Sequence, residues 1–487
     1  MRTFLLVMVV LSLLVPCYAG TVYVKWDSPY DGPGNDWEHA YHTISAGITA
    51  ATTNDIVQVA GPHTYVGALV VNKAITLLGD DTTVIDGNMS GAFAVEITTT
   101  ATMSHFTVTN CRIGIGCTGG SPTVSYNTVT EAIWGRGIYS EVTSTIVANR
   151  VINGWTNPAG TGAIFLFQGN SIVCSNLIAN NHGAGMYIGN GAPLVYNNTI
   201  VGNHNEDTHK GGGIAIAFAA PYIENNIIAN NQATLGGAIY VSGSGGGGDV
   251  SYNTFYNNGD TPFYPTSWQV IGLDENVEAD PLFLVSDELQ YRLQYGSSCI
   301  GTGINTCVTS VDLLGMPRIL GTTIDRGCYE GASVPVNTKT AGDWVELRDK
   351  PVTADFGDFS YIEEPNRANG IRLGDKSLTP GTVTTVIGQI ASESGDLVIY
   401  PKYLLLDSGG TVPDPLGMTN KTAQESLSFG LRVRVWGRVT DRGVGYYDIS
   451  DGSPDALRVF SGSRPNVGDW VTLCGISSYN GVLEPAL

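Results

Sequence analysis

Short apolar strands that end at an asparagine recur along the first two-thirds of the chain. The asparagines lie 22, 27, 22, 28 and 27 residues apart, at Asn127, Asn149, Asn176, Asn198, Asn226 and Asn253, and His105 stands 22 residues before the first. A repeat of this length, with short strands and no helical pattern, predicts a β-solenoid in which each period forms one coil. Asparagine tolerates a left-handed turn and can bond to its copy in the next coil, so we interpret the column as structural.

Each period also holds a second apolar strand, which a small residue, most often glycine, opens. The strands are GIGC (114–117), GIYS (137–140), AIFL (163–166), GMYI (185–188), GIAI (213–216) and AIYV (238–241). Because side chains alternate along a strand, we expect one column inside the solenoid, formed by Ile115, Ile138, Ile164, Met186, Ile214 and Ile239. The residues that follow them should point outward: Gly116, Tyr139, Phe165, Tyr187, Ala215 and Tyr240.

The two ends of the chain have different patterns. Trp37, Tyr41, Ile44, Ile48 and Ala51 fall at helical spacing, which predicts a short amphipathic helix that caps the first coil. After residue 331 the strands alternate and are separated by glycine, and the phrase Gly-Asp-Trp-Val occurs at 342–345 and again at 468–471. This texture predicts one or two small β-barrels, loosely like OB-folds, and we expect no basic face on them.

The composition and charge of the chain limit the classes of partner that it can bind. The chain has 62 glycines, 14 % charged residues and a formal net charge of −20, which fits a turn-rich β protein and argues against nucleic acid or anionic membrane as a partner. Arg2, the apolar run 4–15 and the small Ala19 predict a signal peptide that is cleaved after residue 19. No later stretch predicts a transmembrane helix. We therefore expect a protein that is secreted, to an extracellular or periplasmic location.

Residues 21–331 resemble bacterial right-handed parallel β-helix proteins of the pectate-lyase-like superfold. The resemblance rests on Val22-Tyr23-Val24, Trp37 and IVQVAGPHTY at the start, and on ADPLF (279–283), LGMPR (314–318) and DRGCYEG (325–331) at the end. Together with the patterns described above, it predicts an all-β chain with a signal peptide (1–19), a right-handed parallel β-helix (20–331), a linker (332–341) and one or two small barrels (342–487). The superfold hosts lyases, hydrolases, epimerases and non-catalytic surface proteins, so the resemblance specifies the fold better than the activity.

The outward aromatic residues are the predicted substrate-binding site. In enzymes of the superfold the equivalent face lines the substrate groove, and aromatic rings can stack on sugar faces. The predicted binding residues are therefore Tyr139, Phe165, Tyr187 and Tyr240. The alternative is that a loop or the C-terminal barrels cover this strip.

The segment 203–210 is the richest in ionisable groups and lies in a coil of 28 residues, against 22 in the shortest. Glu206, Asp207 and Lys210 are the candidate catalytic residues, because two carboxylates beside a lysine can supply an acid and a base for glycan cleavage. The alternative is a solvated surface loop. Two acids are too few for a complete calcium site, so we expect no resident metal or cofactor, with Ca²⁺ the ion that this loop would suit.

These features predict a carbohydrate-interacting β-helix protein that binds, or also cleaves, an extracellular polysaccharide or cell-surface glycan. The catalytic motifs of polygalacturonase-like hydrolases are absent from the sequence, so whether the protein is an enzyme, as a polysaccharide lyase or glycoside hydrolase, stays open. The alternative is a non-catalytic surface or envelope protein in which the β-helix is a rigid spacer. We expect a monomer.

Overall fold

The computed structural model describes residues 19–155, 162–242, 248–284, 291–294, 296–306, 309–320, 322–331, 340–407 and 409–483, without the side chains of 207–209 and 407. The chain divides into two compact units. The first comprises Met1–Pro281, Thr306–Thr309 and Arg326–Cys328, and the second Leu282–Asn305, Ser310–Asp325 and Tyr329–Leu487. Residues 1–18 of the predicted signal peptide and 332–339 of the predicted linker lie outside the described residues. The predicted domain boundaries stay predictions.

The described part of the first unit consists of short parallel strands, one α-helix and a 3₁₀ helix at Thr266–Trp268. The elements are β1 (Thr21–Val24), α1 (Ile44–Ala50), β2 (Ile56–Val59), β3 (His63–Val66), β4 (Leu69–Val71), β5 (Thr76–Asp86), β6 (Phe93–Ile97), β7 (Thr102–Thr109), β8 (Cys111–Cys117), β9 (Thr123–Ser125), β10 (Thr128–Thr130), β11 (Ala132–Ser140), β12 (Thr145–Val147), β13 (Arg150–Ile152), β14 (Gly162–Leu166), β15 (Ile172–Cys174), β16 (Leu177–Ala179), β17 (Ala184–Gly191), β18 (Leu194–Tyr196), β19 (Thr199–Val201), β20 (His204–Lys210), β21 (Ile214–Ala219), β22 (Tyr222–Glu224), β23 (Ile227–Ala229), β24 (Gln232–Leu235), β25 (Ile239–Val241), β26 (Asp249–Ser251), β27 (Thr254–Tyr256), β28 (Phe263–Tyr264) and β29 (Val277–Glu278).

These strands stack as the coils of a β-solenoid. One sheet of nine strands follows the order β28-β25-β21-β17-β14-β11-β8-β6-β4, and eighteen others form a second sheet. Ile138 pairs with Ile164, Ile164 with Met186, and Met186 with Ile214, all in parallel register. Their side chains are fully buried, as are those of Ile115 and Ile239. The predicted inward column is confirmed.

Glycine opens the strands of the nine-stranded sheet because the chain passes close to the core there. A Cβ on Gly137 would lie 2.3 Å from Cγ1 of the buried Val151, and one on Gly185 would lie 2.6 Å from Cγ2 of Ile200. Both distances are shorter than any carbon–carbon contact tolerates, so a larger residue would push the corner of the coil outward.

The asparagine column forms a hydrogen-bonded ladder, as predicted. In each step the backbone N–H and the Nδ2 of one asparagine donate to Oδ1 of the next; Asn198 does so to Asn226 at 2.8 and 3.0 Å. The ladder runs through Asn127, Asn149, Asn176, Asn198, Asn226, Asn253 and Asn276. The left-handed residue of the turn is the one before the ladder asparagine, such as Asn197 at φ 53°. The ladder residue itself therefore supplies the bonds, and its predecessor supplies the turn.

His105 does not occupy the ladder position. The backbone N–H of Phe106 donates to Oδ1 of Asn127 at 3.1 Å, so the preceding coil is 21 residues long rather than 22. His105 takes the left-handed turn position instead, and its ring stacks on Tyr126 with a centroid distance of 5.2 Å. The ladder position of that coil is occupied by Phe106, whose side chain has no hydrogen-bonding group, which is why the ladder begins at Asn127.

A second ladder lies five residues after the first. Nδ2 of Asn181 donates to Oδ1 of Asn203 at 2.9 Å, and the same contact joins Asn203 to Asn231 and Asn231 to Asn258, each at 3.0 Å. The offset from Asn176, Asn198, Asn226 and Asn253 is constant. The second ladder is therefore visible in the sequence, although the predictions above include only the first.

A helix forms at Ile44–Ala50, inside the range that the helical spacing predicts. Oγ1 of Thr43 accepts the backbone N–H of Ala46 at 3.2 Å, which caps the N-terminus. Ile44 and Ile48 pack into the solenoid core. Trp37 precedes the helix and lies against Tyr23, with ring centroids 4.6 Å apart. The capping role of this helix stays a prediction.

The second unit contains two barrels. Its strands are β30 (Phe283–Leu284), β31 (Arg292–Leu293), β32 (Trp344–Asp355), β33 (Ser360–Glu363), β34 (Gly370–Leu373), β35 (Val383–Glu393), β36 (Asp396–Asp407), β37 (Leu416–Gly417), β38 (Arg432–Arg442), β39 (Tyr446–Ser450), β40 (Leu457–Phe460), β41 (Trp470–Ser478) and β42 (Gly481–Leu483). The first barrel closes in the order β32-β33-β34-β36-β35, and the second in the order β38-β39-β40-β42-β41, since β38 also pairs with β41.

The two barrels share one strand connectivity, although the phrase that repeats in them does not mark equivalent strands. Trp344 opens the first strand of the first barrel, whereas Trp470 opens the fourth strand of the second. The likeness to OB-folds stays a prediction. Among the described residues, no helix is long and apolar enough to cross a membrane.

Candidate functional site

The outward residues of the nine-stranded sheet form an aromatic column. Tyr139 pairs with Phe165, and Phe165 with Tyr187, in adjacent coils. Their rings stack with centroids 5.7 and 4.6 Å apart and with interplanar angles of 23° and 10°. Parallel pairing at constant register produces this stack, because each coil repeats the same outward position.

The column extends beyond the residues that the sequence predicted. Ala215 interrupts it, and Tyr240 then stacks on Tyr264 at 5.3 Å. At the other end Phe93 lies 5.9 Å from Tyr139 and covers Gly116. Tyr264 sits in a strand of two residues without a glycine start, so the strand pattern could not reveal it.

The four predicted binding residues differ in exposure. Tyr139, Tyr187 and Tyr240 are half-buried, so part of each ring faces solvent. Phe165 is only 6 % exposed. It contributes mainly by holding its neighbours in the stack, and its role in substrate binding stays a prediction.

Arg136 covers the buried ring and was not among the predicted site residues. Its guanidinium carbon lies 4.3 Å from the centroid of Phe165 and 5.5 Å from that of Tyr139. The hydroxyl of Tyr139 donates to Oε2 of Glu141 at 3.0 Å. Burial raises the pKa of Tyr139, the hydrogen bond that it donates to Glu141 adds to the shift and Arg136 opposes it, so the phenol keeps its proton. The sequence signal was an arginine directly before GIYS.

Lys210 reaches the other part of the column. Its Nζ lies 5.6 Å from the ring centroid of Tyr240. Asn205 fixes this position, since its Nδ2 donates to the backbone oxygens of Lys210 at 2.7 Å and Gly211 at 3.2 Å. Asn205 is buried, and β20 pairs with β24 on the next coil. The segment between Asn205 and Lys210 therefore has a rigid base.

Glu206 lies in a separate cleft. Its side chain is 77 % exposed, and Oε1 lies 3.7 Å from Nδ1 of His204. The cleft has a volume of about 500 Å³ and is also lined by Gln232 and Asp260, without any residue of the aromatic column. The structure thus brings Lys210 to the column and leaves Glu206 outside it. The side chain of Asp207 lies outside the described residues.

The described part of the chain contains no cluster of metal-ligating side chains. No group of three or more histidine, cysteine, aspartate or glutamate side chains converges there. The column offers instead aromatic faces, the cations Arg136 and Lys210, and the carboxylate of Glu141. Such an arrangement can hold a ring-shaped ligand by stacking and orient it by hydrogen bonds and charge.

A comparison with protein-family models supports the same architecture. Residues 113–277 match the family model described as the right handed beta helix region. No curated protein matches the sequence. Solved structures similar to the chain include the pectate lyase Pel9A, at 15% identity and a TM-score of 0.40 over 64% of this chain and 96% of that one.

Two further solved structures are similar over different lengths. An alginate lyase from Paenibacillus sp. str. FPU-7 has 12% identity and a TM-score of 0.30 over 48% of this chain and 95% of its own. The Dettilon tailspike protein has 12% identity and a TM-score of 0.25 over 96% of this chain and 92% of its own. Together, the matched family model and the parallel coils identify residues 113–277 as a right-handed parallel β-helix.

Proposed function

We propose that the β-helix binds an extracellular polysaccharide along the aromatic column. The observation that carries the proposal is the in-register stack of Tyr139, Phe165 and Tyr187, two of whose rings are partly open to solvent. A linear polymer fits such a site, because successive coils repeat the same outward position along the solenoid. Export, which residues 1–19 predict, would bring the protein to such a polymer.

The contacts of the column suit sugar rings. The weakly polarised C–H face of a sugar stacks on an aromatic ring, and a tyrosine side chain gives this area at low conformational cost. The hydroxyl groups of the sugar can bond to Glu141 and Arg136 at the edge of the strip. Arg136 and Lys210 would also attract a carboxylate on the polymer.

Binding is tested by affinity electrophoresis of the protein through gels that contain a panel of neutral and acidic polysaccharides. Tyr187→Ala should weaken retardation about two- to twelvefold, since an aromatic stack contributes roughly 0.5–1.5 kcal/mol. Tyr222→Ala is the matched control, because this tyrosine is 48 % exposed on the eighteen-stranded sheet. Absence of retardation on every polymer, or equal retardation of wild type and Tyr187→Ala, would leave the rigid-spacer function as the better account.

Cleavage of the bound polymer is a finer proposal, in which Lys210 acts as the base of a lyase. Of the predicted catalytic residues, Lys210 is the one whose described side chain lies against the column, at Tyr240. The measurement is ultraviolet absorbance of unsaturated products from a uronate polymer, with Lys210→Met as the variant. Equal product formation by wild type and variant would remove Lys210 from the reaction.

A further inference from the structure

Strand β38 of the second barrel presents arginine and tryptophan side chains outward. Arg434, Trp436 and Arg438 are exposed, whereas Val433 and Val435 between them are buried. The alternation follows from the strand geometry, in which every second side chain points to the same face at intervals of about 6.8 Å. One side of the strand therefore carries cation, ring and cation in a row.

The neighbouring strand adds a second ring to this row. Trp470 of β41 stands opposite Arg438, and Thr472 opposite Trp436. Trp470 is 71% exposed and Trp436 42%, which is unusual for the largest side chain in a protein. We call Arg434, Trp436, Arg438 and Trp470 the Arg–Trp face.

In the part of the chain that the structure describes, the arginines of this face form no ion pair with a carboxylate, and Nε of Arg434 donates to Sγ of Cys474 at 3.5 Å. Among the described residues, no ion pair within 4.0 Å includes Arg434 or Arg438; Nε of Arg438 donates to the backbone oxygen of Gly468 at 3.1 Å. Arg458, on another strand of the same barrel, is paired with Asp448 at 2.9 Å. The Arg–Trp face thus keeps guanidinium donors available that elsewhere in the barrel are satisfied internally.

The local charge also differs from that of the chain. Residues 416–483 hold seven lysines and arginines against six aspartates and glutamates, whereas residues 342–407 of the first barrel hold six against eleven. The expectation that the barrels lack a basic face did not take β38 into account, where strand alternation places Arg434 and Arg438 on one side.

We propose that the Arg–Trp face binds a carboxylated polysaccharide. A guanidinium donates two charge-assisted hydrogen bonds to a carboxylate in a bidentate contact, and an indole ring stacks on a sugar ring. The face places the two groups side by side. The net charge of −20 repels polyanions from most of the chain, so a site for an acidic polymer must be a local patch of this kind. The face lies in the second unit and is independent of the aromatic column proposed above.

The experiment measures retardation of the full chain by polygalacturonate, with a neutral polymer and a single-stranded oligodeoxynucleotide as further probes. Arg434→Gln/Arg438→Gln should weaken the apparent affinity for polygalacturonate at least tenfold. The matched control is Lys376→Gln/Lys421→Gln, which removes the same charge from exposed positions of the same unit. Trp470→Ala is a second variant that leaves the charge unchanged and should weaken binding as well.

Each variant is also made in the Tyr187→Ala background, so that failure of this site and failure of the aromatic column are distinguishable. Rising salt should weaken the contribution of the Arg–Trp face more than that of the column, because exposed charges are screened. Equal loss in the arginine and lysine variants would overturn the proposal, since the effect would then be one of net charge. Stronger retention of the oligonucleotide, lost in the arginine variant, would replace the polysaccharide with nucleic acid.

Discussion

The two units stabilise their buried polar side chains by different chemistry. Along the coils of the first unit most of these side chains are neutral amides or hydroxyls, and the ladder asparagines are at most 4% exposed. The second unit instead buries pairs of ionisable side chains, such as Arg318 with Glu330 at 3.4 Å and Arg292 with Glu346 at 2.5 Å, whose side chains are each 1% exposed. A repeat provides every amide with an identical partner one coil away, whereas a segment without a repeat needs a specific partner of opposite charge.

The difference has a consequence for pH. An amide does not titrate between pH 4 and pH 10, so the ladders should hold the first unit equally well across this range. The buried carboxylates of the second unit do titrate. Burial raises the pKa of Glu330 to about 9 and that of Asp325 to about 6, with Arg318 opposing both shifts. Burial likewise raises the pKa of Asp312.

The largest expected effect comes from interrupting the first ladder. Asn198→Ala removes the acceptor for the backbone N–H and Nδ2 of Asn176 and the donor to the backbone oxygen of Val173. Each buried group left without a partner costs about 1–3 kcal/mol, so we expect the unfolding free energy of the first unit to fall by about 3 kcal/mol or more. Chemical denaturation measures it.

The control for the ladder is Asn190→Ala, an exposed asparagine of the same unit. Its unfolding free energy should stay within about 0.5 kcal/mol of wild type. If Asn198→Ala were as mild as this control, the ladder would be a consequence of the coil rather than a source of its stability, and the contrast between the units would lose its basis.

The second effect is the pH dependence of the second unit. Because the folded pKa of Glu330 lies above its unfolded value, its contribution is fully present below pH 4 and is lost as the pH rises toward 9. The melting temperature of this unit should therefore fall over that range, and Glu330→Gln should flatten the fall. The folded and unfolded pKa values of Glu330 differ by more than one unit, which corresponds to more than about 1.4 kcal/mol of unfolding free energy.

Calorimetry from pH 5 to pH 9 separates the two units, because they need not melt together. Asn198→Ala should lower the melting temperature of the first unit by the same amount at every pH. If Glu330→Gln leaves the pH dependence of the melting temperature of the second unit unchanged, other titratable groups are responsible for that dependence. The contrast between the units would then rest on those groups.

The smallest expected effect tests a charge in the first unit that is not buried in a pair. Arg136→Gln removes the cation over Phe165 and should cost about 0.5–2 kcal/mol of unfolding free energy. Arg112→Gln is the matched control, since this arginine is exposed and lies 5.3 Å from the ring of Trp134. Equal denaturation midpoints for both variants would mean that Arg136 serves ligand binding and not the stack.

The repeating part of the molecule was accessible from sequence. The spacing of the ladder asparagines and the glycine-led strands predicts coils, inward column and outward aromatic residues, because a solenoid stacks equivalent positions directly on one another. The single error, at His105, arose where one coil is a residue shorter and the turn position looks like the ladder position. The missed second ladder obeyed the same period.

The tertiary structure alone decided which side chains outside the repeat meet. Lys210 reaches Tyr240 while Glu206 points into another cleft, because the amide of Asn205 holds the end of the segment and the register of β20 with β24 shifts between Asn205 and Lys210. The closure of the second barrel likewise places Trp470 beside Arg438, although the two residues are 32 positions apart in the sequence. Sequence determines positions that a period repeats, whereas contacts between unrepeated segments depend on the path of the backbone through three dimensions.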